Sequence, residues 1–270
     1  LINTNETGYS TTSRTTYYSD NEAIAQMLKD VDDGTFYRTE KVIRRTKNDG
    51  TWNDYNSASV FSSTTVAAVS DLYDDLGMQG RFNAYSYYGH TPVTQALLGV
   101  RYEIADSEQD DRLMTLADSY DGYYLYENEY VLPLGFMTDL DEMTGYYDGQ
   151  DPFMNQNRLV YDMCGVEDVF TIMDSMSGPG VSFDVNKDGR CLIYITNDID
   201  SCLVEIIRND EIIFNKTYDS IEYSEIIDAF DVSEGDRVSV LSRDEDNDHV
   251  SLLPAIMDYD KYPRHGLIRL

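Results

Sequence analysis

The sequence predicts two structural parts: an α+β domain over residues 1–178 and an all-β, jelly-roll-like sandwich over 179–270. In the first part, amphipathic helical patterns mix with short strand patterns, without the regular spacing of a βαβ fold. The segment Gly178-Pro179-Gly180 then interrupts both kinds of pattern. Beyond it, short strand patterns recur about every 8 to 12 residues between turn clusters, which is typical of a β-sandwich. We therefore place the domain boundary at this segment.

The first predicted helix begins near Ser19 and ends at Gly34. Ser19 and Glu22 have the spacing of a capping box, and Gly34 is a typical helix stop. The apolar face of this helix comprises Ala23, Ile24, Met27, Leu28 and Val31. Weak alternation over residues 36–45 predicts a strand, and Asn48-Asp49-Gly50 has the composition of a turn.

A second helix is predicted from Thr64 or Thr65 to a stop at Gly77. Its helically spaced apolar residues are Val66, Val69, Tyr73 and Leu76. Residues 96–104 then predict a buried strand, and residues 123–126 and 130–137 predict shorter strands.

The third predicted helix has the clearest start and stop signals. Asp151 is a favourable N-cap, Pro152 suits the first helical position, and Gly165 marks the end. The residues expected to be buried are Phe153, Gln156, Val160 and Met163.

The strands predicted for the second part cover residues 181–185, 191–196, 203–207, 212–218, 221–230 and 237–242. Cys164, Cys191 and Cys202 are too few and too scattered for a disulfide framework. If the second and third of these strands form a hairpin, Cys191 faces a position near Ile206. That register argues against a disulfide between Cys191 and Cys202.

The charge balance excludes several classes of protein. The 270 residues carry 50 Asp and Glu against 20 Lys and Arg, a formal net charge of −30. Such a charge repels phosphate backbones and acidic lipid surfaces, so we expect no nucleic-acid partner and no general docking on acidic lipid. Hydrophobic residues at 41% and 23 tyrosines exclude a disordered acidic tail, which lacks the apolar surface needed to fold.

No segment has the pattern of a membrane span or a signal peptide. The longest stretch without charged residues, 82–100, contains His90, Pro92 and two glycines, so we do not expect it to cross a bilayer. The N-terminus lacks a charged region followed by an apolar run, and the chain begins at Leu1. We expect it to be an excised fragment of a longer protein.

One segment resembles the opening half of a calcium loop. Asp184, Asn186 and Asp188 alternate as oxygen ligands do, and Gly189 follows them. Position twelve is Ile195, where such loops place a bidentate Glu, and a hairpin turn accounts for the same residues. Calcium is therefore a minority interpretation here. A hard cation at the oxygen-rich loop of Asp244, Glu245, Asp246 and Asp248 is likewise a minority interpretation, because a charge run is usually a solvated turn.

The residue patterns give no catalytic centre. The three histidines form no HExxH motif, catalytic triad or Cys-His pair, and the chain has no phosphate-binding glycine loop. Among 50 carboxylates, sequence alone cannot select a glycosidase pair, so we nominate no catalytic residue. Tyrosines cluster at residues 85–88 and 120–126; packing is the favoured interpretation, and stacking on sugars is the alternative.

Several blocks together resemble one known family, and they occur in the family's order. The early blocks are Phe36-Tyr37-Arg38, Phe61-Ser62-Ser63-Thr64, Tyr88-Gly89-His90-Thr91-Pro92 and Leu97-Leu98-Gly99-Val100-Arg101-Tyr102. The later blocks are Glu127-Asn128, Leu132-Pro133-Leu134-Gly135-Phe136, Asp151-Pro152-Phe153 and Gln156-Asn157, followed by the strand-rich segment after Gly180. From about Phe36 onward, the chain resembles the YfhO family.

The resemblance implies a function for the parent protein. Family members are multi-spanning bacterial membrane proteins similar to GT-C glycosyltransferases, which take sugars from polyprenyl phosphate and glycosylate lipoteichoic acid or related envelope polymers. This chain resembles their large extracytoplasmic region. GT-C enzymes place the catalytic acid on an external loop near the first membrane helices, so the resemblance implies that this fragment is inactive alone. Its expected partners are the transmembrane part of the same polypeptide and an envelope glycan.

The candidate carbohydrate-contact residues are Tyr87, Tyr88 and His90, with Arg38 and Asn128 as polar partners. A charge of −30 would repel a polyanionic acceptor, although screening beyond about 10 Å and bridging divalent ions would reduce the repulsion. The alternative is a secreted or surface-anchored carbohydrate-binding or adhesion module. Flanking hydrophobic segments of about 20 residues would favour the transferase, whereas a signal peptide and an anchoring tail would favour the module.

Overall fold

The computed structural model describes residues 21–135, 151–221, 225–244 and 247–262. The predicted fold class is confirmed: helices and strands mix in the first part, and the second part is β-rich. The helices are α1 (Asn21–Val31), α2 (Asp49–Asn53), α3 (Ala67–Asp75), α4 (Pro92–Leu98) and α5 (Pro152–Cys164). In the described ranges, no helix combines the length and the apolar character needed to cross a membrane.

The strands of the first part are β1 (Arg38–Lys41), β2 (Val60–Phe61), β3 (Gln79–Arg81), β4 (Ala84–Ser86), β5 (Val100–Ala105), β6 (Met114–Tyr120), β7 (Tyr123–Asn128), β8 (Phe170–Ile172) and β9 (Met176–Gly178). Those of the second part are β10 (Val181–Asp184), β11 (Gly189–Ile195), β12 (Ser201–Arg208), β13 (Glu211–Asp219), β14 (Ile226–Val232), β15 (Arg237–Ser242) and β16 (Val250–Met257).

The first part is built on a four-stranded sheet in the order β1-β5-β7-β6, with β1 parallel to β5. Helix α1 covers one face, because its predicted apolar stripe packs on the alternate residues of β5 that face it. The fully buried members of this contact are Ile24, Met27, Tyr102, Ile104 and Leu125. A smaller sheet, β2-β4-β3, lies beside helix α3.

The second part is a sandwich of two antiparallel sheets. One has the order β10-β15-β12-β13, and the other has the order β14-β11-β16-β8, with β9 also paired to β16. The core between them comprises alternate apolar residues from both sheets, including Phe183, Ile193, Val204, Val240 and Leu252. The jelly-roll detail stays a prediction.

The sheet containing β11 and β16 is buried on both faces. Cys191 and Ile193 face the sandwich core, whereas Leu192 between them packs with Phe153 of α5 and Val93 of α4. Strands β8 and β9, which precede Gly180, hydrogen-bond to β16. The predicted boundary at residue 178 stays a prediction, since this shared sheet contacts elements from both sides of it.

Three predictions about local structure are wrong in whole or in part. Asn48-Asp49-Gly50 begins helix α2 instead of a turn, because the Asp49 carboxylate accepts hydrogen bonds from the backbone N–H groups of Arg45 and Thr46. The buried strand predicted over 96–104 is confirmed from Val100 onward as β5, whereas residues 96–98 end α4 and left-handed Gly99 separates the two elements. Residues 130–135 contain no strand, and the remainder of that prediction lies outside the described residues.

The predicted hairpin between residues 191–196 and 203–207 is also wrong, because β11 and β12 lie in different sheets. Cys191 pairs in register with Ile256, and Cys202 pairs with Tyr218 and Ser242. All three cysteines are free, as the sequence predicts.

Candidate functional site

The loop between β4 and α4 positions two of the predicted contact residues. Gly89 adopts a positive φ of 84°, and a Cβ there would lie 2.4 Å from the Gly77 carbonyl oxygen, so this tight passage requires glycine. Thr91 then caps α4 in a capping box with Thr94. The fixed loop stacks the rings of Tyr87 and His90 face to face, with centroids 3.8 Å apart.

Both side chains lie close to the carboxylate of Glu103, a residue that the sequence analysis did not select. The Tyr87 hydroxyl donates to Glu103 Oε1 at 2.8 Å, and Gln95 Nε2 donates to the same oxygen at 3.1 Å. His90 Nε2 lies 3.5 Å from it. The sequence offered one indication of Glu103: it lies within a predicted buried strand, and buried carboxylates need partners.

The hydrogen bonds fix the tautomer of His90. Its Nδ1 lies 3.1 Å from the Tyr87 carbonyl oxygen, which can only accept, so Nδ1 carries the proton. Nε2 of the neutral ring therefore presents a lone pair to Glu103. Burial lowers the pKa of His90 to about 4 and raises the pKa of Glu103 to about 7. Burial thus disfavours the charged form of both side chains.

A buried ion-pair network lies within electrostatic range of this pair. Arg190 is buried, and its guanidinium forms a bidentate pair with Asp111 at 2.9 and 2.7 Å. Its Nε also donates to Asp228 at 2.7 Å. Burial alone would raise the pKa of Asp111, but Arg190 holds that pKa below its ordinary value. We call Tyr87, His90, Glu103, Asp111, Arg190 and Asp228 the junction cluster.

A β-bulge places Asp228 in the junction cluster. The register between β11 and β14 shifts opposite residues 190–192, and Phe230 adopts a positive φ of 62°. That conformation is unfavourable for a bulky residue. The Asp228 side chain accepts a hydrogen bond from the Phe230 N–H at 2.8 Å, and Arg190 lies over the Phe230 ring. The bulge therefore directs a carboxylate and an aromatic ring toward the same arginine.

The other predicted contact residues are placed differently. Tyr88 lies under the guanidinium of Arg44, 3.6 Å from its ring centroid, and its hydroxyl donates to the Val42 carbonyl. Arg38 donates to the Leu98 carbonyl. Asn128 is buried at the end of β7 and accepts from the Tyr130 N–H. The structure thus brings Tyr87 and His90 together, whereas the described contacts of Arg38 and Asn128 lie elsewhere.

The calcium-loop residues have protein partners. Asp184 forms an exposed ion pair with Arg237 at 2.9 Å, and Asp188 accepts from the Glu234 N–H. Across the ranges that the structure describes, no group of three or more His, Cys, Asp or Glu could hold a metal ion. Calcium binding at these residues stays a prediction.

A second feature of the first part is a surface groove of about 540 Å³. It is lined by Thr46, Lys47, Asn48, Thr51, Trp52 and Phe61. Asn48 links α2 to β2, since its side-chain amide donates to the Phe61 carbonyl and accepts from the Phe61 N–H. Trp52 of α2 and Phe61 of β2 are 38% and 52% exposed. Sequence reasoning missed this groove, although Trp52 is the chain's only tryptophan.

Comparison with solved structures gives two weak likenesses. The first is to the C-terminal domain of A223, a structural protein of Sulfolobus turreted icosahedral virus, at 13% identity and a TM-score of 0.25, covering 33% of this chain and 99% of that chain. The second is to the insecticidal delta-endotoxin Cry8Ea1 of Bacillus thuringiensis, at 12% identity and a TM-score of 0.21, covering 50% of this chain and 27% of that one. Likenesses this low carry no argument about function.

No curated protein matches the sequence. The model of a family described as "Bacterial membrane protein YfhO" matches residues 1–188, which is more than half of the chain. The match includes the loop, the junction-cluster residues up to Asp111 and the groove. The chain therefore belongs to the YfhO family of bacterial membrane proteins.

Proposed function

We propose that this chain is the extracytoplasmic region of a polytopic GT-C-like glycosyltransferase and that it positions a glycan acceptor. The parent enzyme would transfer a sugar from polyprenyl phosphate to an envelope polymer such as lipoteichoic acid. The transmembrane part of the same polypeptide would supply the catalytic residues, and this region would supply binding surface. Membership in a bacterial membrane-protein family supports the proposal.

The groove beside Trp52 is the observation that carries the glycan role. Its two exposed aromatic rings can pack against the C–H faces of a sugar ring, while the Thr51 hydroxyl and the second N–H of the Asn48 amide can reach sugar hydroxyls. Its volume of about 540 Å³ lies in the range typical of small-molecule sites. This combination of aromatic walls and neutral polar groups suits a carbohydrate better than a purely apolar ligand.

The charge of the groove fits an acceptor in an anionic envelope. Lys47 is the charged member of the six lining residues, in a chain whose net charge is −30. A cation at the binding surface attracts an anionic polymer at contact distance. Acidic groups farther than about 10 Å are largely screened at physiological salt. The groove is therefore a favourable place for such a polymer to meet this acidic protein.

The lone tryptophan gives a direct test. Titration with lipoteichoic acid and with neutral envelope oligosaccharides should shift the Trp52 emission saturably to shorter wavelengths, because a bound sugar excludes water from the ring. Thr51→Trp, which fills the groove, should weaken binding measured by calorimetry about ten-fold or more. Tyr161→Ala, which removes a 44% exposed aromatic ring of α5, outside both the six lining residues and the β3–β4 hairpin, serves as the matched control.

A wild-type emission spectrum unchanged by every glycan would contradict the glycan role. Equal binding by wild type and Thr51→Trp would remove the groove from the proposal. Glycan binding would also suit the alternative of a secreted or anchored module, but membership in a membrane-protein family favours the transferase parent. Tyr88 and His90 stay predicted contact residues. Titrating Tyr88→Ala in the same assay tests that role.

A further inference from the structure

An exposed apolar surface surrounds the tip of the β3–β4 hairpin. Phe82 stands at this tip and is 94% exposed, Val66 at the start of α3 is 64% exposed, and Phe61 of β2 lies beside them. We propose that Phe82 and Val66, which we call the docking patch, insert into the surface of the lipid bilayer, while Phe61 stays in the wall of the groove. The proposal concerns how the region sits on the membrane and does not depend on glycan binding.

Backbone hydrogen bonds hold the patch together. Phe82 and Asn83 form the two-residue connection of the hairpin, with Arg81 and Ala84 paired across it. Phe61 pairs with Ala84, and the next residue, Ser62, donates its N–H to the Asn83 carbonyl at 3.0 Å. Thr65 Oγ1, just before Val66, also approaches that carbonyl. These bonds bring Phe82 and Val66 close together at one corner of the first part, beside Phe61.

The charge distribution favours this corner as the membrane-facing one. Residues 55–70 contain no Asp, Glu, Lys or Arg, although 26% of the chain's residues are charged. The charged residues beside the patch include Arg81, next to Phe82, and Lys47 in the groove, with Asp74 of α3 near Arg81. Because the net charge is −30, most other faces would be repelled by an anionic bilayer. This corner, with two basic residues and one acidic residue beside it, can approach with less repulsion than an acidic face.

The shape of the patch fits a bilayer better than a protein partner. A stable protein interface buries about 800 Å² on each side, usually with a flat or concave core of packed side chains. A single phenylalanine on a two-residue turn is instead a convex point, which suits insertion at the headgroup boundary, where aromatic side chains are enriched. Ser63 and Thr64, between Phe61 and Val66, can hydrogen-bond with headgroups and water.

Depth-dependent quenching tests the proposal. Trp52→Phe first removes the native tryptophan. One protein then carries Phe82→Trp, and the matched control carries Ile212→Trp at an exposed position of strand β13. Each protein is tethered by a histidine tag to vesicles of phosphatidylcholine and phosphatidylglycerol that contain nickel-chelating lipid. Brominated lipid then quenches whichever tryptophan enters the bilayer, and circular dichroism verifies that both variants fold.

We expect brominated lipid to quench the tryptophan at position 82 several-fold more than the one at position 212. Moving the tag from the C-terminus to the N-terminus should leave this difference unchanged, because the patch and not the tether sets the orientation. Equal quenching at both positions, or no quenching at position 82, would overturn the proposal. Neither result bears on sugar binding in the groove, which is measured without vesicles.

Discussion

Folding shifts the pKa values of Glu103 and His90 in opposite directions. Each is moved by burial away from its charged form, so the carboxyl group holds its proton up to about pH 7 and the imidazole stays neutral down to about pH 4. Their effects on stability have opposite signs. The pair therefore adds little net pH dependence between about pH 4.5 and 6.5, where both shifts act.

Single variants should expose the two opposing effects. Because the folded state keeps the Glu103 proton longer than the unfolded state, Glu103 destabilises progressively as pH rises from 4.5 to about 7. Glu103→Gln should thus gain stability relative to wild type over that range. His90 binds its second proton less readily in the folded state than in the unfolded state. It therefore contributes stability that is lost as pH falls from 6.5 to about 4. His90→Asn should lose stability relative to wild type as pH rises over that range.

Urea denaturation at a series of pH values measures both effects. The double variant is the control, since it removes both groups. Its stability relative to wild type should change less with pH than that of either single variant. Parallel pH profiles for wild type and Glu103→Gln would show that the carboxyl group is not shifted by its surroundings.

The residues of the sites differ in how far sequence could reveal them. Tyr87, Tyr88 and His90 could be proposed because they are neighbours in one aromatic block. Glu103 could not be selected among 50 carboxylates without knowing that its strand lies under that block. Trp52 follows a segment whose composition favours a turn, and its helix has five residues. So short a helix shows no helical periodicity in the sequence, so the position of Trp52 could not be predicted.

At the scale of elements, local signals were reliable where caps and periodicity agree. Helix α5 follows its predicted start and stop, and Asp151 caps it by accepting from the N–H groups of Phe153 and Met154. Helix α1 was predicted equally well, although Ser19 lies outside the described residues. Helix α3 begins at Ala67, later than predicted, and Val66 of its predicted apolar face lies at the N-cap and is 64% exposed. Predictions failed where tertiary contacts determine the secondary structure or the strand pairing. The end of α4 is apolar enough to suggest a buried strand. Strand β11 pairs with β16, which is far away in sequence.

Arg190 joins elements from both parts of the chain, so its removal should be costly. It lies on β11, and its partners are Asp111 in the segment before β6 and Asp228 on β14. Arg190→Met would leave two partly buried carboxylates without their cation, which typically costs about 3–5 kcal/mol. Urea unfolding should show this loss as a lower midpoint.

The matched control is Arg237→Met, which breaks the exposed pair with Asp184. Exposed ion pairs contribute little, so that variant should unfold close to wild type. If both variants unfolded at the same urea concentration as wild type, the junction cluster would not contribute to holding the two parts together.

In the molecule as a whole, both parts pack against the sheet that contains β11 and β16, and each face of this sheet belongs to a different hydrophobic core. One face of β11 and β16 completes the sandwich, and the other packs against α4 and α5. The groove and the docking patch both belong to the first part, around α2, β2 and the β3–β4 hairpin. If the docking patch contacts the bilayer as proposed, the groove lies close to the bilayer too, where the proposed lipid-linked donor would be.

Accessibility from outside intact bacteria shows on which side of the membrane this region lies. Lys29→Cys, on the solvent face of α1, is introduced together with Cys164→Ser into the protein as the bacterium makes it; the other two cysteines of this region, Cys191 and Cys202, are buried. Intact bacteria are then treated with a membrane-impermeant maleimide, and the protein without Lys29→Cys is the control. We expect an extracytoplasmic region to be labelled equally in intact and in lysed cells. Labelling that appears only after lysis would contradict the extracytoplasmic location.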